Sequence, residues 1–439
     1  MAVYLRSMTY TFLLSTALLA AGPALAQPAA TPRLLLHCGH LLDVRAGRLL
    51  DKQTVVVERD RIVAVQAGYT AAAGPQDKVI DLESRTVLPG LIDCHVHLEH
   101  QSSKNAFVEG FLLNPADVAY RAQGYARTTL LAGFTTVRDC GGSGVNVALR
   151  NAVNGGLVVG PRIYAAGEAI SATGGHMDES VGLSRELMEK MGPARNVANG
   201  PDQCRQAVRE QFKRGADLIK IASTGGVLDQ SPDPSGPQYS EEEIRAVVAT
   251  ATDLGMRVAC HAHGAEGIKR AVRAGVVSIE HGTLMDDEGR ALMAKMGTWY
   301  VPTVIAGKSV ADSARIPNYF TATVVPKALA IGPQIQASLG RAYRAKVKIA
   351  FGTDAGVFRH GRNALEFGYM TEAGMPPLEA IRAATLNAAQ LLGHAADLGA
   401  IEVGKFADVV AFDGDPLRDI TALLRPVFVL KAGAVYRAE

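Results

Sequence analysis

The sequence has few cysteines, little net charge and no apolar run long enough to suggest a stable membrane span. Its five cysteines (Cys38, Cys94, Cys140, Cys204 and Cys260) are odd in number and lack CxxC spacing, which excludes a disulfide scaffold and a four-cysteine zinc site. A net charge of +2 does not indicate a nucleic-acid or anionic-membrane partner. A hydrophobic content of 48% in 439 residues is typical of a globular protein with a large core.

The N-terminal segment has the pattern of a secretory signal peptide. Arg6 precedes a short apolar run at 12–21, and Ala24 and Ala26 form a cleavage site before Gln27. The run is too short for a stable bilayer-spanning helix, with an uncleaved anchor as the alternative. We therefore expect residues 1–26 to be removed and the mature chain to be exported, with the periplasm as the expected compartment.

Short alternating apolar runs at both ends of the mature chain predict β-structure. They lie within 27–88 and 396–439 and are separated by turn-rich or charged residues. We expect the two ends to pair into one composite β-sandwich domain, with the middle of the chain inserted between them.

The middle of the chain, residues 89–395, alternates apolar strands with amphipathic helices. The predicted strands are 89–97, 134–139, 162–168, 217–223, 256–262, 277–281, 298–304 and 348–353. This alternation predicts an α/β fold of the (β/α)8 TIM-barrel type. A doubly wound open sheet would instead require a glycine-rich phosphate turn after its first strand, where this chain has two histidines.

Polar side chains end several of these predicted strands, on the face where barrels carry their catalytic residues. Alone, a histidine in such a position is more often a hydrogen-bonded core residue, and an aspartate is often a helix cap. Because alternate residues of a strand share a face, pairs spaced i, i+2 can point to one site. Together the strand ends bring these groups to one face: His95 and His97, Lys220, His261 and His263, His281, and Asp354.

Lys220 is unexpected in a metal site, because an ammonium group repels cations. Burial disfavours the charged form of an amine, and a neutral amine can add carbon dioxide to give a carbamate. This anionic group has two oxygens and can bridge two cations. The sequence therefore predicts a site with two metal ions and a carboxylated lysine.

These residues resemble those of the amidohydrolase superfamily, in its binuclear type with a carboxylated lysine. The resemblance covers nearly all of the chain after the signal peptide. Four motifs narrow it to the imidazolonepropionase-like branch, which includes Xaa-Pro and Xaa-Arg/Lys dipeptidases and ochratoxin A-hydrolysing amidohydrolases. The motifs span residues 171–176, 220–227, 261–264 and 352–356.

The resemblance implies the arrangement of ligands around the two metal ions. One ion would be bound by His95, His97 and Asp354, the other by His261 and His281, and carboxylated Lys220 would bridge them. Imidazole and carboxylate ligands suit Zn²⁺, with manganese or cobalt as alternatives. The resemblance also implies a homo-oligomer, with an octamer as one such assembly, and a small-molecule amide or dipeptide as the substrate.

The predicted mechanism is attack on an amide carbonyl by a metal-bridging hydroxide. Asp354 is the predicted proton carrier between that hydroxide and the leaving amine. His263 and Tyr239 are candidate oxyanion-stabilising residues, and His176, Tyr239, His263 and His360 are candidate substrate-binding residues. The alternatives are that His263 supports a ligand and that Tyr239 packs within its loop.

The predicted function is release of a C-terminal amino acid from a dipeptide or an N-acyl amino acid. Ochratoxin A, an acyl group joined to phenylalanine by an amide bond, is one such substrate. A cyclic-amide hydrolase like imidazolonepropionase and a non-catalytic scaffold on the same fold are the alternatives. The loops after strands one, four and seven (98–115, 224–239 and 305–322) are expected to shape the substrate pocket.

Overall fold

The structure is a computed structural model that describes residues 32–192, 194–231 and 233–439. The predicted signal peptide lies outside these residues. The described strands are β1 (Arg33–Asp43), β2 (Arg48–Glu58), β3 (Arg61–Ala67), β4 (Lys78–Pro89), β5 (Leu91–Val96), β6 (Phe134–Asp139), β7 (Arg162–Ala165), β8 (Ile219–Ala222), β9 (Val258–Gly264), β10 (Ser278–Leu284), β11 (Trp299–Val301), β12 (Lys348–Ile349), β13 (Val409–Phe412), β14 (Pro426–Lys431) and β15 (Ala434–Ala438).

Helices separate most strands of the middle region. They are α1 (Ala106–Leu112), α2 (Pro115–Leu131), α3 (Val145–Asn154), α4 (Arg185–Met191), α5 (Gly200–Lys213), α6 (Glu241–Asp253), α7 (Ala265–Ala274), α8 (Asp287–Met296), α9 (Val304–Ser313), α10 (Val324–Ile331), α11 (Gln334–Arg344), α12 (Leu365–Glu372), α13 (Pro377–Arg382) and α14 (Ala388–Leu392). None of these described helices combines the length and apolar character that crossing a membrane requires.

Strands from both ends of the chain form one sheet, in the order β15-β14-β13-β4-β1-β2-β3. Strand β4 joins the two ends, because it pairs parallel to β1 and antiparallel to β13. This sheet has an apolar core of its own, which includes Leu36, Val55, Val87, Val409 and Phe428. The strands predicted for a composite sandwich are thus hydrogen-bonded into a single continuous sheet.

The eight strands β5 to β12 are parallel and form two further sheets, β5-β6-β7 and β8-β9-β10-β11-β12. Hydrogen bonds join these sheets at both edges. Next to β7 and β8, Ile170 N donates to Lys220 O at 2.8 Å, and next to β12 and β5, His97 N donates to Ala355 O at 2.7 Å. Main-chain hydrogen bonds thus link the three-stranded and five-stranded sheets at both of their edges.

Local sequence signals set the limits of the helices around these strands. Helix α6 begins with a capping box, in which Ser240 Oγ accepts from Glu243 N while the Glu243 carboxylate accepts from Ser240 N. Helix α7 packs Ile268, Ala271 and Val272 against the strands and ends at a glycine in the left-handed conformation. The apolar faces of such helices cover strands such as β5 and β6, which are buried along their whole length.

The last strand of the middle region is shorter than the predicted range of 348–353. Only Lys348–Ile349 pairs with β11. Beyond it, Phe351 N donates to Ala383 O at 3.0 Å, and Asp354 N donates to His95 O at 2.7 Å. The chain leaves the ladder at this point because its backbone groups bond to β5 and to the π-helical turn Ala383–Asn387 instead.

Phe351 offers a test of this packing, because its ring is fully buried between Phe134 and Phe367, with ring centroids 5.5 and 4.4 Å away. We expect Phe351→Ala to lower the free energy of unfolding by about 3–5 kcal/mol, since it leaves a cavity in the core. Urea unfolding followed by circular dichroism measures this change. Leu157→Ala is the control, since Leu157 is 81% exposed and its truncation should change stability by only about 0.5 kcal/mol. Equal effects of the two variants would contradict the packing described here.

Candidate metal centre

A cavity of about 260 Å³ lies at the C-terminal ends of the parallel strands. Its lining includes all six side chains for which the sequence predicts metal binding: His95, His97, Lys220, His261, His281 and Asp354. All are buried except His97, whose side chain is 15% exposed. The structure therefore brings together, on one surface, groups that are up to 259 positions apart in the sequence, the separation of His95 and Asp354 (354 − 95).

The backbone turns sharply where two of these side chains enter the cavity. His281 has a φ of +69° and Asp354 a φ of +61°, in the left-handed region that non-glycine residues rarely adopt. Surrounding hydrogen bonds fix both turns: the Tyr300 hydroxyl donates to His281 O at 2.8 Å, and Asp354 N donates to His95 O at 2.7 Å. Strained residues held in this way are typical of functional sites.

Hydrogen bonds orient the imidazole rings with one nitrogen toward the cavity. His95 Nδ1 donates to Glu280 Oε2 at 2.8 Å, and His97 Nδ1 donates to a backbone carbonyl at 2.7 Å. His281 Nδ1 lies 2.7 Å from Thr303 Oγ1. Because Nδ1 is engaged in each ring, Nε2 is the nitrogen available to a metal ion, as is usual for metal-binding histidines.

The ring of His261 is turned the other way, and burial keeps several of these imidazoles neutral. His261 Nε2 donates to Gly225 O at 3.2 Å, which leaves Nδ1 available. Burial, with the Lys220 amine as a further cause, lowers the pKa of His95 to about 4. Burial also holds the pKa of His261 and His281 well below the ordinary value for histidine. A neutral imidazole has the free lone pair that a metal ion requires.

The carboxylate of Asp354 has an oxygen with no hydrogen-bond donor. Oδ1 lies 3.3 Å from His97 Nε2 and 3.6 Å from His95 Nε2, but it is buried and accepts no hydrogen bond. Although burial opposes ionisation, these two imidazoles hold the pKa of Asp354 well below its ordinary value. A buried anionic oxygen without a donor is costly, and a cation between these groups would satisfy it.

Lys220 is buried beside the same imidazoles. Its side chain is among the largest fully buried ones in the chain, and Nζ lies 3.3 Å from His95 Nε2. Within the described residues it forms no ion pair with a carboxylate. The donor set of neutral imidazoles, one undonated carboxylate oxygen and one buried amine therefore fits divalent metal ions.

Two further predicted residues, His176 and His263, also line the cavity. His263 Nδ1 lies 2.9 Å from Thr283 Oγ1, so its Nε2 can face a bound molecule. The His176 ring lies 4.1 Å from the ring of His261, measured between centroids, and its Nδ1 donates to Asp229 Oδ2 at 2.6 Å. Both therefore lie where they can contact a substrate.

The other two predicted residues, Tyr239 and His360, do not line this cavity, and their expected contacts with substrate need correction. Tyr239 is 2% exposed and packs in the main core, where its hydroxyl donates to Ala198 O at 3.0 Å. His360 stacks on Tyr125, and its Nε2 donates to His100 O at 2.9 Å. Tyr239 thus packs within the protein, and His360 supports the backbone of a residue that does line the cavity.

Three contributors to the site, His100, Glu280 and Lys327, are not among the residues predicted from the sequence. His100 lines the cavity and stacks on His97 with centroids 5.3 Å apart; its position three residues after a strand-end histidine was the available signal. Glu280 orients His95 and also accepts from Arg138 Nη2 at 2.7 Å. Its place one residue before His281 on the same strand could have indicated it.

The third missed residue is Lys327, on α10. Its amine is 5% exposed and donates to the Asp229 carboxylate at 2.9 Å and to the carbonyls of Gly226, Asp229 and Ser231. It therefore fixes the loop that follows β8 and, through Asp229, the ring of His176. No sequence pattern links this helical lysine to a loop about 100 residues earlier.

We expect Lys327→Met to lower the free energy of unfolding by about 3 kcal/mol, because it removes the cation that pairs with the buried Asp229 carboxylate and leaves three carbonyl groups without their donor. The double variant Lys327→Met/Asp229→Asn should recover part of this loss. Thermal and urea unfolding measure both changes. Lys308→Met, on the neighbouring helix α9, is the control, since its side chain is 34% exposed and surface pairs contribute about 0–1 kcal/mol. If Lys308→Met and Lys327→Met were equally stable, the loop would not depend on Lys327.

Comparison with known proteins places this site in a family. Residues 86–435 match the Amidohydrolase family. The ochratoxinase of Aspergillus niger is 34% identical over 372 residues, covering 80% of this chain and 75% of its own. An imidazolonepropionase of Sphingopyxis alaskensis is 27% identical, covering 81% of this chain and 87% of its own. A Xaa-Pro dipeptidase, whose crystal structure has methionine bound in the active site, is 45% identical in sequence. The two structures superpose with a TM-score of 0.89 over 92% of this chain and 100% of the dipeptidase chain. This chain therefore belongs to the amidohydrolase family.

Proposed function

We propose that the chain is a binuclear metal-dependent hydrolase that releases a C-terminal amino acid from dipeptides or N-acyl amino acids. The observation that carries this proposal is the buried Asp354 Oδ1, which accepts no hydrogen bond although several imidazole nitrogens surround it. We also propose that β5 to β12 form a closed (β/α)8 barrel, and that the seven-stranded sheet folds over its own core as a β-sandwich.

The proposed ligand sets follow the positions of the side chains in the cavity. His95, His97 and Asp354 would hold one ion, and contacts of 3.3 and 3.6 Å between their ligand atoms support this. His261 and His281, with ring centroids 4.7 Å apart, would hold the other. Imidazole and carboxylate ligands favour zinc.

Lys220, carboxylated on Nζ, would bridge the two sets. Its amine lies beside His95 and is buried without an acidic partner among the described residues. The added carboxylate would convert a group that repels cations into an anionic ligand with two oxygens. A carbamate on Nζ would also explain why this buried nitrogen lies beside imidazoles that are proposed to bind metal ions.

When bound, two divalent ions lower the pKa of water and polarise a carbonyl group. The protein's own groups then determine where protons and charge can go. With Oδ1 as the ligand atom, Asp354 can take a proton on its other oxygen, Oδ2, and transfer it to the leaving amine. His263 and His176 face the same space. His263, whose Nδ1 can accept from the Thr283 hydroxyl, can donate from Nε2 to a developing oxyanion, and His176 can bind the substrate.

The relatives support amide substrates with a free amino acid on the leaving side. One relative is named as an ochratoxinase and one structure as a Xaa-Pro dipeptidase, and both names support hydrolysis of an amide bond as the reaction of this chain. The cyclic-amide alternative is supported by the imidazolonepropionase relative, at lower identity. A non-catalytic scaffold is disfavoured, since all six predicted ligands line one cavity.

Two further parts of the proposal rest on sequence alone. The apolar segment at 12–21 and the small residues before Gln27 support export to the periplasm. A homo-oligomer is proposed from the resemblance to the superfamily.

The test of the proposed function joins metal analysis to a panel of substrates. We expect the purified protein to contain about two zinc ions per chain and to hydrolyse Xaa-Pro dipeptides, N-acyl-phenylalanines or ochratoxin A. Lys220→Ala should lose metal and reduce kcat/KM by more than about 100-fold. Added acetate or propionate should restore part of the metal binding, because a carboxylate can replace the carbamate.

Lys295→Ala is the matched control, because Lys295 is exposed on α8 and its loss should change neither metal content nor rate. A protein without bound metal after growth with zinc, or a fully active Lys220→Ala variant, would overturn the binuclear assignment. Hydrolysis of cyclic imides but not of linear amides would favour the imidazolonepropionase-like alternative.

A further inference from the structure

The cavity has two chemically different sides. The polar side consists of the imidazoles, Lys220 and Asp354 at the strand ends. The second group of lining residues, which we call the apolar wall, lies on α9, α10, the start of α11, and short segments after β8 and β12. Its apolar members include Val227, Val310, Ala328, Ile331, Ile335 and Val357.

The wall is held rigidly by close packing between helices. A Cβ atom on Gly332 would lie 2.5 Å from Gly307 O and 2.7 Å from Ala311 Cβ. Only glycine permits this approach of α10 to α9. Val310 and Ala328 belong to one small apolar cluster, against which Val227 and Val357 pack, so the wall joins both helices to both loop segments.

The charged groups of the cavity are confined to its polar side. Among the described lining residues, the side chains that carry a formal charge are Lys220 and Asp354, and both belong to the proposed metal set. Asp229 is directed toward His176 and Lys327 and is not part of the lining. No described carboxylate is therefore available to pair with a cationic group placed against the apolar wall.

We infer that the apolar wall binds an uncharged apolar side chain next to the scissile amide, and that the site rejects lysine and arginine side chains there. This inference rests on the proposed function and narrows its substrate class to amides with a neutral apolar residue. When an alkyl or aromatic group displaces water from the wall, the burial of apolar surface makes the free energy of binding more favourable. An ammonium or guanidinium group would be desolvated there without a partner, which is costly.

The first test compares norleucine with lysine, whose side chains share a four-carbon stem and differ by the ammonium group. Gly-norleucine is compared with Gly-lysine, and norleucyl-glycine with lysyl-glycine, so that both sides of the amide are examined. We expect norleucine to be preferred in kcat/KM by about tenfold or more on at least one side. Equal rates within about threefold on both sides would overturn the inference.

The second test places a carboxylate on the wall. Val310→Asp should raise the ratio of lysine to norleucine hydrolysis by about tenfold, because the new carboxylate can pair with the ammonium group. Val310→Asn is the matched control, with the same shape and no charge, and should leave the ratio low. The same pair at Val357, which is partly exposed, covers the case in which the variants at 310 do not fold. A ratio that does not differ between the Asp and Asn variants of a folded pair would overturn the inference.

Calorimetric binding of the free amino acids norleucine and lysine to the zinc-loaded protein separates this inference from the proposed function. If no linear amide is hydrolysed, the proposed function fails, and tighter binding of norleucine still supports the apolar wall as a binding surface. If both dipeptides are hydrolysed equally and both amino acids bind equally, the proposed function is supported, but the wall does not discriminate between norleucine and lysine side chains.

Discussion

Ligating groups from separate strands can be buried together only where their charges are balanced, and this constraint governs the structure around the cavity. Glu280 is fully buried between His95 and Arg138. Although burial opposes it, Arg138 lowers the pKa of Glu280 to about 2, so the carboxylate stays ionised and holds the His95 ring. On the cavity side, the negative charge at Asp354 Oδ1 has no hydrogen-bond donor, and a cation bound there would balance it.

A second buried carboxylate secures the junction at which the strands meet. Asp93 Oδ1 accepts from the backbone N–H groups of His95 and Thr353 at 3.1 Å, and Oδ2 accepts from Thr353 Oγ1 and Asn363 Nδ2. It thus ties β5 to the segment that carries Asp354, even though burial raises its pKa to about 6. The proposed metal ligands of the two segments keep their spacing because this carboxylate, which is not among the residues lining the cavity, bonds to both.

Much of the site could be predicted because it depends on short-range geometry. Alternation within a strand places His95 and His97, or His261 and His263, on one side. The chemistry of a buried amine predicted a carbamate on Lys220, and the superfamily resemblance implied the same role. Tyr239 was misplaced because the direction of its ring depends on how a long loop packs, and this is not encoded in spacing. Lys327 was missed for the same reason, since its partners lie in a loop distant in sequence.

The α/β class was predictable because it follows from the short-range pattern of apolar residues. The limits of the strands were not, because they depend on how distant segments pack. A strand range such as 298–304 follows apolar runs, but β11 covers only Trp299–Val301, because Thr303 turns into the left-handed conformation at the start of α9. That turn places Thr303 Oγ1 against His281 Nδ1 and places the helix against the cavity. Thr303, which orients His281, and α9, which contributes to the apolar wall, therefore share one turn. Because the ligands come from strands and the wall from helices, substitutions on the wall can change which substrates fit while the strands hold the ligands in place.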